Sequence, residues 1–211
     1  MSALAQLRVV TRMQLLVGLT LVGLIVLCMV SLFQLKDSML EDRKQKTRDL
    51  VQVAVGIVKH YHQQASSGRI SEEEAKTAAR DSLRDLRYGE DDYYFGFDTE
   101  GVYFLHGGNP KLEGQQKLDM QDTHGKYIIR ELIAAAKAGG GFVDYWFPRA
   151  GQQNPEPKLG YTTLFTPWNW VVGTGIYIDD VDKEFRQVAW LLGGISSALL
   201  ASLVVFGFLV S

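Results

Sequence analysis

The sequence predicts an α+β fold in which a long N-terminal helix precedes a five-stranded antiparallel sheet, with a transmembrane helix on each side of this unit. The prediction rests on charge and periodicity. Residues 14–34 and 187–211 contain no charged side chain, although 22% of the 211 residues are charged. Between these runs, apolar residues first recur every three or four positions and then, after Gly89, form short aromatic and β-branched runs separated by turn residues. Two charge-free runs around a polar middle exclude a freely soluble globule.

The two charge-free runs are predicted membrane spans. Residues 13–35 match the roughly 20 residues that a helix needs to cross a bilayer core. A cleaved signal peptide is the alternative, because Arg8 and Arg12 precede the run, but the run exceeds the usual apolar core of roughly 7–15 residues and no Ala-x-Ala step follows. Residues 188–210 include small side chains that let membrane helices pack closely, with a buried core helix as the alternative.

The distribution of basic residues predicts the orientation of the chain. Arg8 and Arg12, with no acidic residue before them, are expected to keep residues 1–12 in the cytoplasm. Residues 36–187 carry 20 basic and 24 acidic side chains, a net charge of −4 by subtraction, and are expected to lie outside the inner (plasma) membrane of the cell. Because the chain stops just after the second span, we expect a cytoplasmic signalling domain that is missing from this chain.

Three helices are predicted between the spans. Residues 36–65 lack proline and have helical apolar spacing, and Ser66-Ser67-Gly68 ends this helix. Ser71 and Glu74 form a capping-box signature, so that a second helix begins at Ser71 and runs to about Arg87. A third helix is expected over residues 125–137, with Asp122 as its cap.

Five strands and a short final helix complete the prediction. The strands are expected at residues 93–97, 102–106, 142–147, 158–165 and 170–178. The four residues 98–101 read as a hairpin turn, residues 148–157 as a loop, and Thr166-Pro167 as a tight turn. Residues 179–187 are expected to form a short helix that leads back into the membrane.

Several kinds of chemistry are poorly supported by the sequence. The near balance of 22 basic and 24 acidic residues argues against nucleic acid as a partner. Cys28 is the single cysteine, so that an intrachain disulfide and a cysteine-rich metal finger are excluded. His60 and His62 diverge on a helix and do not suit one metal ion. No nucleophile elbow or phosphate loop occurs, and we expect no enzyme, metal or cofactor.

Motifs spread over residues 37–187 resemble a known family. They are Asp-Tyr-Tyr-Phe at 92–95, His106, Leu-Glu-Gly at 112–114, Asp122 with Gly125, GFVDYW at 141–146, PKLGY at 157–161 and WNWVVGTGIYIDD at 168–180. Together they closely resemble the single Cache sensor domain of bacterial methyl-accepting chemotaxis receptors. The resemblance implies a PAS-like sheet carried on a long N-terminal helix and, in many members, binding of small organic acids. Two positions depart from the family: Gly107 follows the histidine where proline is usual, and Gly160 stands where serine is usual.

Seven residues are candidate ligand contacts. The Lys158 ammonium can bind a carboxylate, although a surface lysine at a strand start is the alternative. The resemblance favours Tyr145 and then Tyr94 as hydroxyl donors, and Tyr103 and Tyr161 are further candidates beside the alternative that they are sheet or core residues. His106 is a donor, a pH-sensitive contact or a structural histidine. Trp146 reads as a wall of the pocket.

These residues predict a sensing function. Crowding by aromatic side chains predicts a small monocarboxylate such as acetate, propionate, pyruvate or lactate. We expect the sensing region of a transmembrane chemoreceptor that forms a homodimer through the helix at residues 36–65. The alternatives are the sensor region of a histidine kinase or cyclase, and a dimeric membrane scaffold with a vestigial pocket.

Overall fold

The computed structural model describes residues 9–89 and 91–210. These residues form helices α1 (Val9–Ser66), α2 (Glu72–Arg84), α3 (Ile128–Lys137) and α4 (Ile178–Val210). The strands are β1 (Arg87–Tyr88), β2 (Asp92–Tyr93), β3 (Phe95–Asp98), β4 (Tyr103–His106), β5 (Gly141–Pro148), β6 (Pro155–Phe165) and β7 (Trp170–Tyr177). The described residues form two compact units, one within residues 9–41 and 181–210 and the other within residues 42–180.

The predicted five-stranded antiparallel sheet is confirmed. Its strand order is β4-β3-β7-β6-β5, and each neighbouring pair is antiparallel. The strand β6 begins at Pro155, earlier than predicted. Its first part, which includes Pro155 and Pro157, pairs with β5 alone. The partner strand on the other side, β7, joins the ladder only at Lys158. A proline lacks the N–H group that a second neighbour needs, so this stretch suits a one-sided position.

One predicted strand is divided in the structure. The expected strand at residues 93–97 splits into β2, which pairs with β1 in a separate two-stranded sheet, and β3, which joins the main sheet. Tyr94 lies at the break, and its hydroxyl donates to the carbonyl oxygen of Leu50 on α1 at 3.3 Å. Tyr93 and Tyr94 pack in different hydrophobic clusters, as expected of neighbours along an extended chain.

The two faces of the sheet pack against different helices. On one side, called the α3 face here, Phe97, Tyr145 and Val171 cluster with Ile129 and Leu132 of α3. The opposite side, called the α1 face, packs side chains such as Phe165, Trp170 and Val172 against Ala54 and Val58 of α1 and Ala79 and Leu83 of α2. This division follows the alternation of side chains along each strand.

The helices of the second unit begin and end as local chemistry dictates. The capping box at Ser71 is confirmed: its Oγ accepts from the Glu74 N–H at 3.2 Å, and its own N–H donates to Glu74 Oε2 at 2.8 Å. The α2 helix ends at Arg84, earlier than predicted, because Arg87 already pairs in β1. At the end of α1, Gly68 adopts the left-handed conformation expected of the Ser-Ser-Gly stop.

The prediction that Asp122 caps α3 is wrong. The residue before α3 is Tyr127, which makes no side-chain cap hydrogen bond. The Asp122 carboxylate instead accepts from the N–H groups of His124 at 2.8 Å, Lys126 at 3.0 Å and Trp146 at 3.2 Å. Asp122 therefore closes its own loop and satisfies a backbone donor on the edge strand β5.

The first unit contains the start of α1 and most of α4. The predicted short helix at residues 179–187 and the predicted second span lie in one helix, α4. Lys36 forms an ion pair with Asp182 at 3.0 Å. Large apolar side chains are exposed on both helices, for example Phe33 and Trp190. By length and composition, one helix of the described chain, Gly18–Ser66, holds a stretch apolar enough to cross a membrane, with a mean hydropathy of 2.3.

The proposed domain boundaries at residues 12, 35 and 187 stay predictions. Most of the expected cytoplasmic segment, residues 1–12, lies outside the described residues.

Candidate functional site

The candidate site lies on the α3 face and is built around a buried lysine. Lys158 of β6 is 1% exposed and stands in register between Tyr145 of β5 and Tyr177 of β7. Its Nζ donates to the hydroxyl of Tyr177 at 3.3 Å and lies 4.1 Å from the ring centroid of Tyr93. A surface lysine at a strand start is therefore not what the fold produces, since β6 already pairs with β5 from Pro155 onward.

The Lys158 ammonium lacks a close anion. Among the described residues, no ion pair within 4.0 Å involves Lys158. Burial lowers the pKa of Lys158, the charge of Asp92 opposes this effect, and the charge of Arg149 adds to it. Burial likewise raises the pKa of Asp92, against the attraction of Lys158. A charge that is buried without an opposite partner is costly, so the position is suited to an incoming anion.

His106 supplies a neutral donor beside the lysine. It is 2% exposed, and its Nδ1 accepts from the N–H of Asn109 at 2.9 Å. Burial, and next the charge of Lys158, lower the pKa of His106 to about 3. The imidazole is therefore neutral near pH 7, and because Nδ1 is an acceptor, the ring proton resides on Nε2. This favours a constant donor over a pH-sensitive contact.

The histidine loop is anchored from α2. Glu113 Oε1 accepts from the His106 N–H at 3.1 Å, while its Oε2 pairs with Arg84 of α2 at 2.5 Å. Arg87 adds a hydrogen bond to the carbonyl oxygen of Gly107 at 2.8 Å. The two glycines after His106 therefore do not leave the loop unsupported, because side chains from the α2–β1 region hold both of its ends.

Two cavities meet at the site. The inner cavity has a volume of about 10 Å³, about the room of one water molecule. It is lined by Tyr93, Phe95, Tyr103, His106, Ile128, Leu132, Tyr145 and Phe147. The outer cavity, of about 300 Å³, shares three of these side chains, Tyr93, His106 and Phe147. It adds polar groups from the loops after β4 and β5, among them Asn109, Lys111, Arg149 and Gln152.

Arg149 connects the outer cavity to the start of α4. Its guanidinium donates to Asp179 Oδ1 at 2.6 Å and to Asp180 Oδ1 at 2.9 Å, both in the first turn of α4. The same group lies 4.2 Å from the ring centroid of Tyr177, the last residue of β7. The loop that covers the outer cavity is therefore tied to the point where the sheet becomes α4.

The structure brings four of the seven candidate residues together. Tyr103, His106 and Tyr145 line the inner cavity, and Lys158 lies in register with Tyr145 on the same face. The Tyr103 and His106 rings are 5.4 Å apart.

The other three candidates lie elsewhere. Tyr94 packs on the α1 face. Tyr161 shares that face with Phe165 by alternation, and its ring lies 5.7 Å from the guanidinium of Arg48 on α1. Trp146 is 38% exposed and lies 5.1 Å from the ring of His124. Strand alternation separates Trp146 from Tyr145 and Tyr161 from Lys158.

The sequence reasoning missed several residues around the lysine. Tyr93, Phe147 and Arg149 all line the outer cavity. Phe147 was recognisable, because it shares the face of Tyr145 by alternation. Arg149 had a signal too, since it and Lys158 are the two basic residues between residues 139 and 178. Tyr93 belongs to the Asp-Tyr-Tyr-Phe motif, but alternation alone did not show which of its two tyrosines faces the site.

Relatives of this chain are bacterial sensor proteins. McpP, a methyl-accepting chemotaxis protein of Pseudomonas putida, is 35% identical over 208 residues, which is 97% of this chain and 38% of McpP. MctS, a sensor histidine kinase of Rhizobium johnstonii, is 32% identical over 170 residues, 81% of this chain and 36% of MctS. The chain thus spans less than two fifths of either relative.

Solved structures match the fold of the second unit. The periplasmic sensor domain of a chemotaxis protein is 41% identical, with a TM-score of 0.65, over 66% of this chain and 98% of that domain. A Cache chemosensory domain studied for carboxylic acid recognition is 34% identical, also with a TM-score of 0.65, over 67% and 97%. The family model described as Single Cache domain 2 matches residues 39–191. The chain therefore belongs to the single Cache domain family.

Proposed function

We propose that this chain is the extracytoplasmic sensing region of a transmembrane chemoreceptor and that it binds a small organic acid through Lys158. The observation that carries the proposal is the buried ammonium that has no carboxylate within ion-pair distance among the described residues. A ligand carboxylate would supply the missing charge. The relation to a Cache domain studied for carboxylic acid recognition supports this class of ligand.

Three kinds of donor surround the expected position of the carboxylate. Lys158 offers an ammonium, His106 an Nε2–H group, and Tyr145 a hydroxyl at the inner cavity. Hydrogen bonds in which one group is charged are the stronger ones, so Lys158 should contribute most. The neutral donors then fix the orientation without adding charge.

The dimensions of the site favour short acids. An inner cavity of about 10 Å³ does not hold even acetate without movement of its walls, so binding must separate side chains around Tyr145. Monocarboxylates of about two to four carbons, such as acetate, propionate, pyruvate and lactate, require the smallest displacement. Amino acids carry an ammonium that needs an acidic partner. Asp144 of β5 is exposed and bonded to Lys126 at 2.9 Å, and the charge of Asp92 is already attracted by Lys158.

The signal is proposed to leave through Tyr177. This residue contacts Lys158, ends β7 and directly precedes α4, whose first turn is held by Arg149. An acid on Lys158 changes the contact with Tyr177 and thereby the strain at the start of α4. We therefore propose a small shift of the second span. Crosslinks between the two spans that ignore a bound ligand would contradict this step.

The cellular context is part of the proposal. We infer a multi-pass protein of the inner membrane with residues 36–187 in the periplasm and a cytoplasmic signalling domain beyond this chain.

A homodimer through α1 is also proposed. The apolar stripe of this helix packs largely on its own sheet, with Val51, Ala54 and Val58 fully buried and Val53 60% exposed. The dimer contact must therefore use the remaining, more polar side of α1. Sedimentation of the chain as a monomer at all concentrations would refute the proposed homodimer.

A second output is also supported by a specific relative. MctS is a sensor histidine kinase and shares 32% identity with this chain, so the same sensing region is compatible with a kinase. The sequence that follows residue 211 distinguishes the two: long heptads indicate a chemoreceptor, whereas a kinase domain indicates a histidine kinase.

Calorimetric titration of the detergent-solubilised chain tests ligand binding. Acetate, propionate, pyruvate and lactate should bind saturably, whereas propionamide, which has the shape of propionate without its charge, should not. Alanine tests the exclusion of an ammonium. Equal binding of propionate and propionamide, or binding of none of the acids, would refute the proposed function. Variant Lys126→Met is the matched control, because it removes a lysine that lies outside the site and pairs with Asp144 of the edge strand β5.

A further inference from the structure

Gly160 of β6 lies directly beneath the ring of Tyr145. A Cβ atom built on Gly160 would lie 2.9 Å from both Cε1 and the hydroxyl oxygen of Tyr145 and 3.3 Å from its Cζ. In the ladder, Gly160 pairs with Val143, and Tyr145 pairs with Lys158. The Tyr145 ring therefore leans diagonally from β5 across β6, into the space that a side chain at position 160 would occupy.

Space, and not backbone conformation, requires glycine at this position. The φ angle of Gly160 is outside the left-handed region, so other residues can adopt its backbone conformation. At two further glycines on the same face, Gly173 and Gly175, a side chain would conflict with backbone atoms. A Cβ on Gly173 or Gly175 would lie 2.7 Å from the backbone carbonyl oxygen of Tyr161 or Leu159, respectively. Among these three glycines, Gly160 alone conflicts with nothing but a side chain.

The side chain in question is a wall of the inner cavity. Tyr145 lines that cavity from the sheet, and Ile128 and Leu132 of α3 line it as well. A side chain at position 160 would lift the Tyr145 ring off the sheet, and the space above the sheet is the cavity and α3. The cavity measures only about 10 Å³ and must widen to admit an acid. A displaced Tyr145 ring would occupy part of the space into which it can widen.

We propose that Gly160 determines the length of acid that the site accepts, by holding the Tyr145 ring against the sheet. This inference rests on the proposed binding of carboxylates at Lys158. Gly160 is a positioning residue, since it acts through Tyr145 and does not contact the acid. All the acids share the carboxylate, so a weaker hydrogen bond from the displaced Tyr145 hydroxyl would affect each of them alike. Added carbons, in contrast, compete with the displaced ring for space.

The test compares acids of increasing length in the full detergent-solubilised chain. Acetate, propionate and butyrate are titrated into wild type and Gly160→Ala. The ratio of the butyrate Kd to the acetate Kd should rise about tenfold in Gly160→Ala, the scale of one extra methyl group in a packed site. Gly56→Ala is the matched control, because no atom lies within 4 Å of a Cβ at Gly56; it should leave the ratio unchanged.

Shortening the ring separates this mechanism from general damage to the fold. In a Tyr145→Leu background, a methyl group at position 160 has no ring to lift, so Gly160→Ala should change the ratio no further. Tyr145→Leu alone should shift preference toward butyrate, a readout that holds even if Gly160→Ala fails to fold. A wild-type chain that binds no acid overturns the proposed function. A wild-type chain that binds acids, with an unaltered ratio in Gly160→Ala or no shift in Tyr145→Leu, overturns this inference alone.

Discussion

Replacing Lys158 by methionine should stabilise the ligand-free protein and weaken its binding of acids. Methionine is close to lysine in length but carries no charge. In the structure the ammonium has one hydroxyl acceptor at 3.3 Å and two ring faces at 4.1 Å and 4.5 Å. The contacts with the ring faces contribute about 0.5–2 kcal/mol each. A buried charge without an opposite partner is costly. We therefore expect Lys158→Met to stabilise the protein by about 1–4 kcal/mol, the range found when whole buried ion pairs are replaced by well-packed apolar groups.

Binding should change in the opposite direction. A hydrogen bond to a charged group contributes about 1.5–3 kcal/mol, so Lys158→Met should weaken the binding of acetate and propionate about ten- to a hundredfold. Lys158→Arg should not restore affinity, because a planar guanidinium is wider than the space left by an ammonium. Chemical unfolding and calorimetric titration of the same preparations measure both effects. A less stable Lys158→Met with unchanged affinity would show that the lysine is structural and that the acid is bound elsewhere.

The charge of Lys158 also predicts opposite responses to alkaline pH. Burial lowers the folded-state pKa of Lys158 below its usual value of about 10.4. At a pH between the lowered pKa of the folded chain and the usual pKa of the unfolded chain, Lys158 is protonated mainly in the unfolded chain. The unfolded chain then binds more protons than the folded chain, so the stability of the ligand-free protein should rise with pH. Over the same interval affinity for acids should fall, since the ammonium loses its proton. Affinity that stays constant up to pH 10 would contradict the assignment.

Three further predictions concern neighbouring residues. Because burial lowers the pKa of His106 to about 3, acidification from pH 7 to pH 5 should cost roughly 2 kcal/mol of stability. This loss should disappear in His106→Gln. Identical pH profiles of the two proteins in urea titrations would refute the prediction. Tyr145→Phe should weaken acid binding by about 0.5–1.5 kcal/mol, whereas Trp146→Ala, on the opposite face, should have little effect; equal losses in calorimetry would contradict the geometry. Arg149→Gln should lower stability by about 1 kcal/mol, because the carboxylate partners of Arg149 are partly buried. Arg130→Gln removes an exposed ion pair and should cost almost nothing. Thermal unfolding of the two variants tests this difference.

The sequence predicted those features of the fold that depend on local chemistry. The capping box at Ser71, the stop at Gly68 and the turn at Asp98 all involve residues within four positions of one another. The strands β5, β6 and β7 were recognisable because aromatic and β-branched runs are bounded by glycine and proline. Such signals need no knowledge of the rest of the molecule.

The errors arose where distant segments decide the outcome. Asp122 has the composition of a helix cap, but the amide of Trp146, 24 residues later, lies within its reach. Tyr94 was favoured as a pocket residue by the family resemblance. In the structure Tyr94 faces α1, and its neighbour Tyr93 lies beside Lys158 instead. Alternation places these two neighbours on opposite faces, but no periodic pattern reveals which of them faces the site.

The position of Lys158 relates the energy of the ligand-free state to the proposed signal. A ligand shifts a conformational equilibrium by no more than the difference between its affinities for the two states. Here that difference would come from relief of an unpaired buried charge, and couplings between sites are typically about 1–3 kcal/mol, or 5- to 150-fold in population. The relief would occur at Tyr177, the residue that ends β7, while Arg149 holds the next turn of chain through two carboxylates. Lys158→Met should therefore lose most of the response of α4 to acids even at saturating ligand, because an uncharged site has no unpaired charge left to relieve.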